Sequence, residues 1–99
     1  MLETNNLKKL SDFDDKSLLI VDDDNPFRER LARAMEKKGF EVFQCENVKK
    51  GIESVKHKKP AFAVVDLRLG DGNGLEVVKK IQSSNPTSRI IFGRYPSYY

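Results

Sequence analysis

Two groups of carboxylates stand at the ends of apolar runs in this sequence. Asp22, Asp23 and Asp24 follow Leu18-Leu19-Ile20-Val21, and Asp66 follows Phe62-Ala63-Val64-Val65. A short apolar run that stops abruptly at an acid suits a strand buried on both faces, as in a parallel sheet. Open parallel sheets bind ligands beyond the carboxyl ends of their strands. If the two runs are neighbouring strands, several carboxylates converge on one spot. Like charges that close raise one another's pKa and repel unless a cation lies among them. Ligation by oxygen alone suits Mg²⁺, which keeps waters and takes one or two protein carboxylates together with phosphate oxygens. A carboxylate beside such an ion is placed to attack phosphorus, with the metal offsetting charge on the transferring group. Taken singly, each aspartate reads as a strand-end loop residue. The coincidence of both groups at strand ends points to a functional acidic site.

The elements that must position these acids alternate regularly. Residues 1–16 are polar and of mixed charge, and read as a flexible leader. After the first strand, the spacing predicts a helix from Pro26 to Lys38, capped by Asp24 or Asn25 and ended by Gly39. Its apolar positions Phe27, Leu31, Ala34 and Met35 form one stripe. A second strand is expected over Phe40–Gln44. A second helix follows near Val48 to Lys58, with Val48, Ile52 and Val55 inward and Pro60 closing it. Beyond Asp66, the loop Gly70-Asp71-Gly72-Asn73-Gly74 reads as a tight turn before a helix carrying Leu75, Val78 and Ile81. Asn85-Pro86 breaks that helix, and Arg89 to Phe92 begins a fourth strand. Strands alternating with helices at this spacing predict βαβ units and a mostly parallel sheet over residues 17–92. Residues 93–99 form an atypical tail with no helical period.

Composition narrows the function. The chain has 99 residues, 38% apolar and 33% charged, with a net charge of +3. That length carries one modest core. No apolar segment approaches a membrane span and no signal peptide is legible, so a cytoplasmic location is expected. Lysine pairs at 37/38, 49/50, 58/59 and 79/80 fall in or near predicted helices and read as solvated faces, not as a nucleic-acid surface. His57 lies among lysines without partner ligands and reads as surface. Cys45 reads as a small, partly buried residue, and Phe27, Phe40 and Phe62 as core.

LLIVDDDNPFRERL followed by AFAVVDLRLGDGNGLEVV resembles the receiver domain of two-component response regulators, and more narrowly those of redox-responsive regulators of the RegA/PrrA/ActR class. The resemblance covers about residues 17–91. It implies a flavodoxin-like (CheY-like) parallel sheet with flanking helices, here about four strands and three helices. It further implies that Asp66 takes a phosphoryl group from a sensor histidine kinase to control transcriptional output. Asp22 and Asp23 would form the acidic pocket. Asp23, Asp66 and the backbone carbonyl of Arg68 would hold Mg²⁺. Gly74 matches the family's loop glycine, whereas Gly70 stands where many members carry proline.

The family pattern then departs. The Thr or Ser expected after the fourth strand falls near Arg94, Ser97 follows Pro96 and is not assigned that role, and the lysine of a fifth strand is absent from the sequence. From about Phe92 the residues read as unrelated sequence joined to a receiver, as a frameshift or a truncated gene would produce. An open sheet edge would follow, with self-association through it. The expected role is therefore a phosphoacceptor that is not a turnover enzyme, with no direct nucleic-acid or membrane contact. The alternatives are an interaction module that is not phosphorylated, and a phosphatase using Asp22-Asp23-Asp24 as an Asp-x-Asp motif.

Overall fold

The computed structural model describes residues 9–93. Strands β1 (Ser17–Val21), β2 (Glu41–Cys45) and β3 (Phe62–Val65) alternate with helices α1 (Asn25–Lys37) and α2 (Val48–His57). A two-stranded ribbon, β4 (Arg68–Leu69) and β5 (Gly72–Asn73), precedes α3 (Leu75–Ser84) and β6 (Arg89–Phe92). The main sheet is parallel throughout, in the order β2-β1-β3-β6. The ribbon is antiparallel. The sequence reading did not anticipate it. Two residues per strand carry no periodic signal, and only a tight turn somewhere in Gly70-Asp71-Gly72-Asn73-Gly74 was legible.

Burial on both faces explains the unbroken apolar runs. Leu19, Val21, Ala63 and Val65 pack with Val48, Val55, Val77, Val78 and Ile81 of α2 and α3. Leu18 and Ile20 turn the other way, to Leu31, Ala32 and Met35 of α1. The buried stripe of α1 therefore runs through Ala32, whereas Ala34 is exposed. Phe40 and Phe62 join this second cluster as expected. Phe27 does not: it is 42% exposed. Val77 takes the inward place expected for Leu75, which is exposed.

The helix boundaries follow local chemistry. Asp24 caps α1 by accepting from the Phe27 N–H at 3.0 Å. Gly39, at φ 106°, takes the left-handed position just after α1, where a side chain would be strained. Residues 9–16, expected to belong to a flexible leader, contain a 3₁₀ turn at Leu10–Asp12. Phe13 meets Phe62 edge-on at 5.2 Å, with the Arg89 guanidinium 4.9 Å above its ring. Residues 1–8 lie outside the described part.

Candidate functional site

Register brings the acids together. Val21 pairs with Val65 across β1 and β3. The next N–H on each strand extends the ladders, Asp66 to the Val21 carbonyl at 2.8 Å and Asp22 to the Cys45 carbonyl at 3.0 Å. Asp22 and Asp66 thus leave adjacent strands at the same level. Carboxylate oxygens of Asp22, Asp23 and Asp66 lie within 4.8 Å of one another. Asp22 is 5% exposed and Asp66 0%, whereas Asp23 faces solvent.

Backbone donors orient the two buried carboxylates. The Asp24 N–H donates to Asp22 Oδ1 at 2.8 Å, and the Arg68 N–H to Asp66 Oδ1 at 2.9 Å. The structure thereby divides the Asp22-Asp23-Asp24 run, the first two residues joining the acidic group and the third capping α1. Arg28, which the sequence reading passed over, donates from Nη1 to the Asp22 carbonyl at 2.9 Å and from Nε to Gln44 Oε1 at 3.0 Å. It ties α1 and β2 to the acidic loop. Its only signal was a position one turn beyond the acids.

Gly74 is buried where α3 begins, directly over Asp66. Its N–H donates to the Leu67 carbonyl at 3.1 Å. Its backbone is ordinary helical backbone, so the requirement for glycine is one of space and not of dihedral angle. Asp71, also unassigned from sequence, accepts from the Val48 and Lys49 N–H groups at 2.8 and 3.2 Å. The Val48 bond is the main reason its carboxyl is held below the usual range. Beside the acids, a pocket of about 190 Å³ is lined by Asp22, Asp24, Phe27 and Gly93.

Chemically, the group offers only carboxylate oxygens, the donor set of a hard divalent cation, and the mutual repulsion of three close carboxylates favours such an ion. Arg68 lies beside the group through its N–H bond to Asp66. Arg94 and Ser97 lie outside the described residues, as do Tyr95, Tyr98 and Tyr99. His57 is exposed, and Cys45 is a buried thiol whose pKa burial pushes up. No helix among the described residues is long and apolar enough to cross a membrane.

Comparison with known proteins agrees with this geometry. A family model described as the response regulator receiver domain matches residues 18–93. The photosynthetic apparatus regulatory protein RegA of Rhodobacter capsulatus is 56% identical over 77 residues, 78% of this chain and 42% of that protein. The acid tolerance regulatory protein ActR of Sinorhizobium medicae is 54% identical over 77 residues, 78% of this chain and 40% of that protein. The chain thus spans about two fifths of the length of these relatives. A crystal structure of a response regulator from Burkholderia pseudomallei, with a phosphorylated aspartic acid, a calcium ion and citrate, superposes with a TM-score of 0.74. It is 33% identical, and the match covers 79% of this chain and 46% of that one. This chain belongs to the response regulator receiver domain family.

Proposed function

We propose that Asp66 accepts a phosphoryl group from the phosphohistidine of a sensor histidine kinase. The convergence of Asp22, Asp23 and Asp66 within 4.8 Å carries this reading. One Asp66 carboxylate oxygen forms a bond to phosphorus as the donor's P–N bond breaks, leaving an acyl phosphate on Asp66 and a neutral histidine after proton uptake. The Arg68 N–H fixes the plane of the Asp66 carboxylate for that approach. Asp24 and Arg28, through the Asp22 Oδ1 and carbonyl oxygens, hold the acidic loop in place. Asp23, Asp66 and the Arg68 carbonyl would hold Mg²⁺, with Asp22 completing the acidic pocket. When bound, the ion offsets negative charge on the phosphoryl oxygens. The pocket beside Phe27 and Gly93 is the side from which the donor phosphate approaches.

The output would be control of transcription through a partner segment or protein, in the cytoplasm where a sensor kinase presents its phosphohistidine. The phosphatase alternative is disfavoured because Asp24, the second acid of Asp-x-Asp, serves as the cap of α1. The interaction-only reading has one supporting observation. Arg94 falls near the position at which the resemblance implies a Thr or Ser. Self-association belongs to either reading. Among the described residues β6 is an edge of the sheet, Ile91 is 66% exposed, and an apolar groove of about 280 Å³ beside it includes Met35, Phe40, Phe62 and Val64.

Incubation with a small-molecule phosphodonor and Mg²⁺, read by intact mass, separates the readings. A single adduct that requires Mg²⁺ and vanishes in Asp66→Asn is expected. No adduct on folded protein would leave the interaction-only role.

A further inference from the structure

The segment between Asp66 and α3 does not hang freely from the two elements it joins. Leu69 is buried in the main core, and Arg68 and Leu69 pair with Asn73 and Gly72. Asn73 Oδ1 accepts from the Leu75 N–H at 2.9 Å and starts α3. At the tip of this ribbon Asp71 reaches a different element altogether, the first turn of α2.

The N-terminal N–H groups of an α-helix have no partner within the helix. In α2, Asn47 Oδ1 accepts from the Lys50 N–H at 2.8 Å. That leaves the Val48 and Lys49 N–H groups, and Asp71 takes both, one on each carboxylate oxygen. A charged acceptor at a helix N-terminus is favoured by the partial positive charge there as well as by the two bonds. The residue is exposed, so this bond pair adds little to the core. Its effect is geometric, since it pins the tip of a ribbon whose first residue is Arg68, the residue bonded to Asp66.

We propose that Asp71 is a positioning residue for the cation site, setting the Arg68 backbone against Asp66 by anchoring the β4–β5 ribbon to the start of α2. The proposal rests on the phosphoacceptor reading above and extends it to a residue that touches neither phosphate nor metal. Outer residues that orient metal ligands typically change metal affinity when removed. Loss of Asp71 therefore weakens ion binding more than it slows phosphoryl transfer at saturating ion.

The test uses the full chain as wild type, Asp71→Ala and Asp71→Asn, with a small-molecule phosphodonor, across a Mg²⁺ titration read by intact mass. Asp71→Ala is expected to raise the Mg²⁺ concentration for half-maximal adduct on the order of tenfold, with the saturating rate near wild type. Asp71→Asn, which keeps one acceptor oxygen, falls between. A folded Asp71→Ala protein with wild-type half-saturation overturns the proposal. So does one whose saturating rate falls while half-saturation stays put, the mark of a merely structural role. If Asp71→Ala does not fold, Asp71→Asn decides by the same criterion. Absence of adduct in the wild type overturns the phosphoacceptor reading instead. Mg²⁺ titration of the Arg68 amide resonance, which needs no phosphodonor, then decides the positioning role, with unchanged affinity in Asp71→Asn overturning it.

Discussion

A Cβ on Gly74 would stand 2.1 Å from the carbonyl oxygen of Asp66 and 3.0 Å from Val65 Cγ1. The closer of the two is backbone and cannot rotate aside. Gly74→Ala must therefore push α3 away from β3 or displace Asp66. Overpacking of this kind costs about 1–3 kcal/mol and sometimes more. The variant is expected to show a lower urea midpoint than wild type at unchanged slope. Equal midpoints would mean that α3 shifts without cost.

Asp23 faces solvent while sharing the acidic group with Asp22 and Asp66. Asp23→Asn keeps the shape and an acceptor oxygen of the side chain while removing one of three close negative charges, so it should fold at least as stably as wild type without metal. Ligand binding stabilises the folded state by roughly 2.7 kcal/mol at a hundredfold excess over Kd. Mg²⁺ should raise the melting temperature of the wild type and shift that of Asp23→Asn much less. Equal Mg²⁺ shifts in thermal denaturation would remove Asp23 from the ligand set.

Ile91 lies on β6 opposite Val64, on the sheet face that α1 covers, yet it is 66% exposed. Among the described residues no strand pairs with the outer side of β6, and an apolar residue on such an edge invites pairing with another chain. Wild type is expected to sediment with an apparent mass that rises with concentration. Ile91→Lys should suppress this, because a charge on an edge strand opposes edge-to-edge pairing, and should change stability little at so exposed a position. A concentration-independent monomer in the wild type would count against self-association.

Acid stability tests two carboxylates. Asp71 is held below the ordinary value of 3.8 chiefly by the Val48 N–H, and Asp15 by hydrogen bonds from Ser17. A folded-state pKa below the unfolded value contributes stability that is present above 3.8 and lost as pH falls through the folded value. Urea midpoints measured on both sides of pH 3.8 should therefore fall less steeply on the acid side in Asp71→Asn than in wild type. Identical slopes would mean that the α2 bonds persist with a protonated partner.

Much of this molecule is legible in its sequence, and the reason is periodicity. Four apolar residues ending in an acid, at Leu18–Asp22 and Phe62–Asp66, suit strands covered on both faces, and the helices between them carry caps and stops within a residue of the observed ends. Position relative to the sheet is not periodic. That is why Phe27, in step with the α1 stripe, stands at the pocket rim, and why Ala32 replaces Ala34 in the core.

The acids themselves were visible as residue types, and their neighbourhood was conditional on β1 and β3 being adjacent. Only the strand order β2-β1-β3-β6 and the Val21–Val65 register turn that condition into a site. The division of labour among Asp22, Asp23 and Asp24 likewise depends on where α1 starts, and the role of Asp71 on a contact 23 residues away in the chain. Local sequence determines which segments are strands and helices because that depends on near neighbours. Which carboxylates share a cation site, which cap a helix and which anchor a loop is decided by long-range packing, since each role needs a partner the chain supplies from elsewhere.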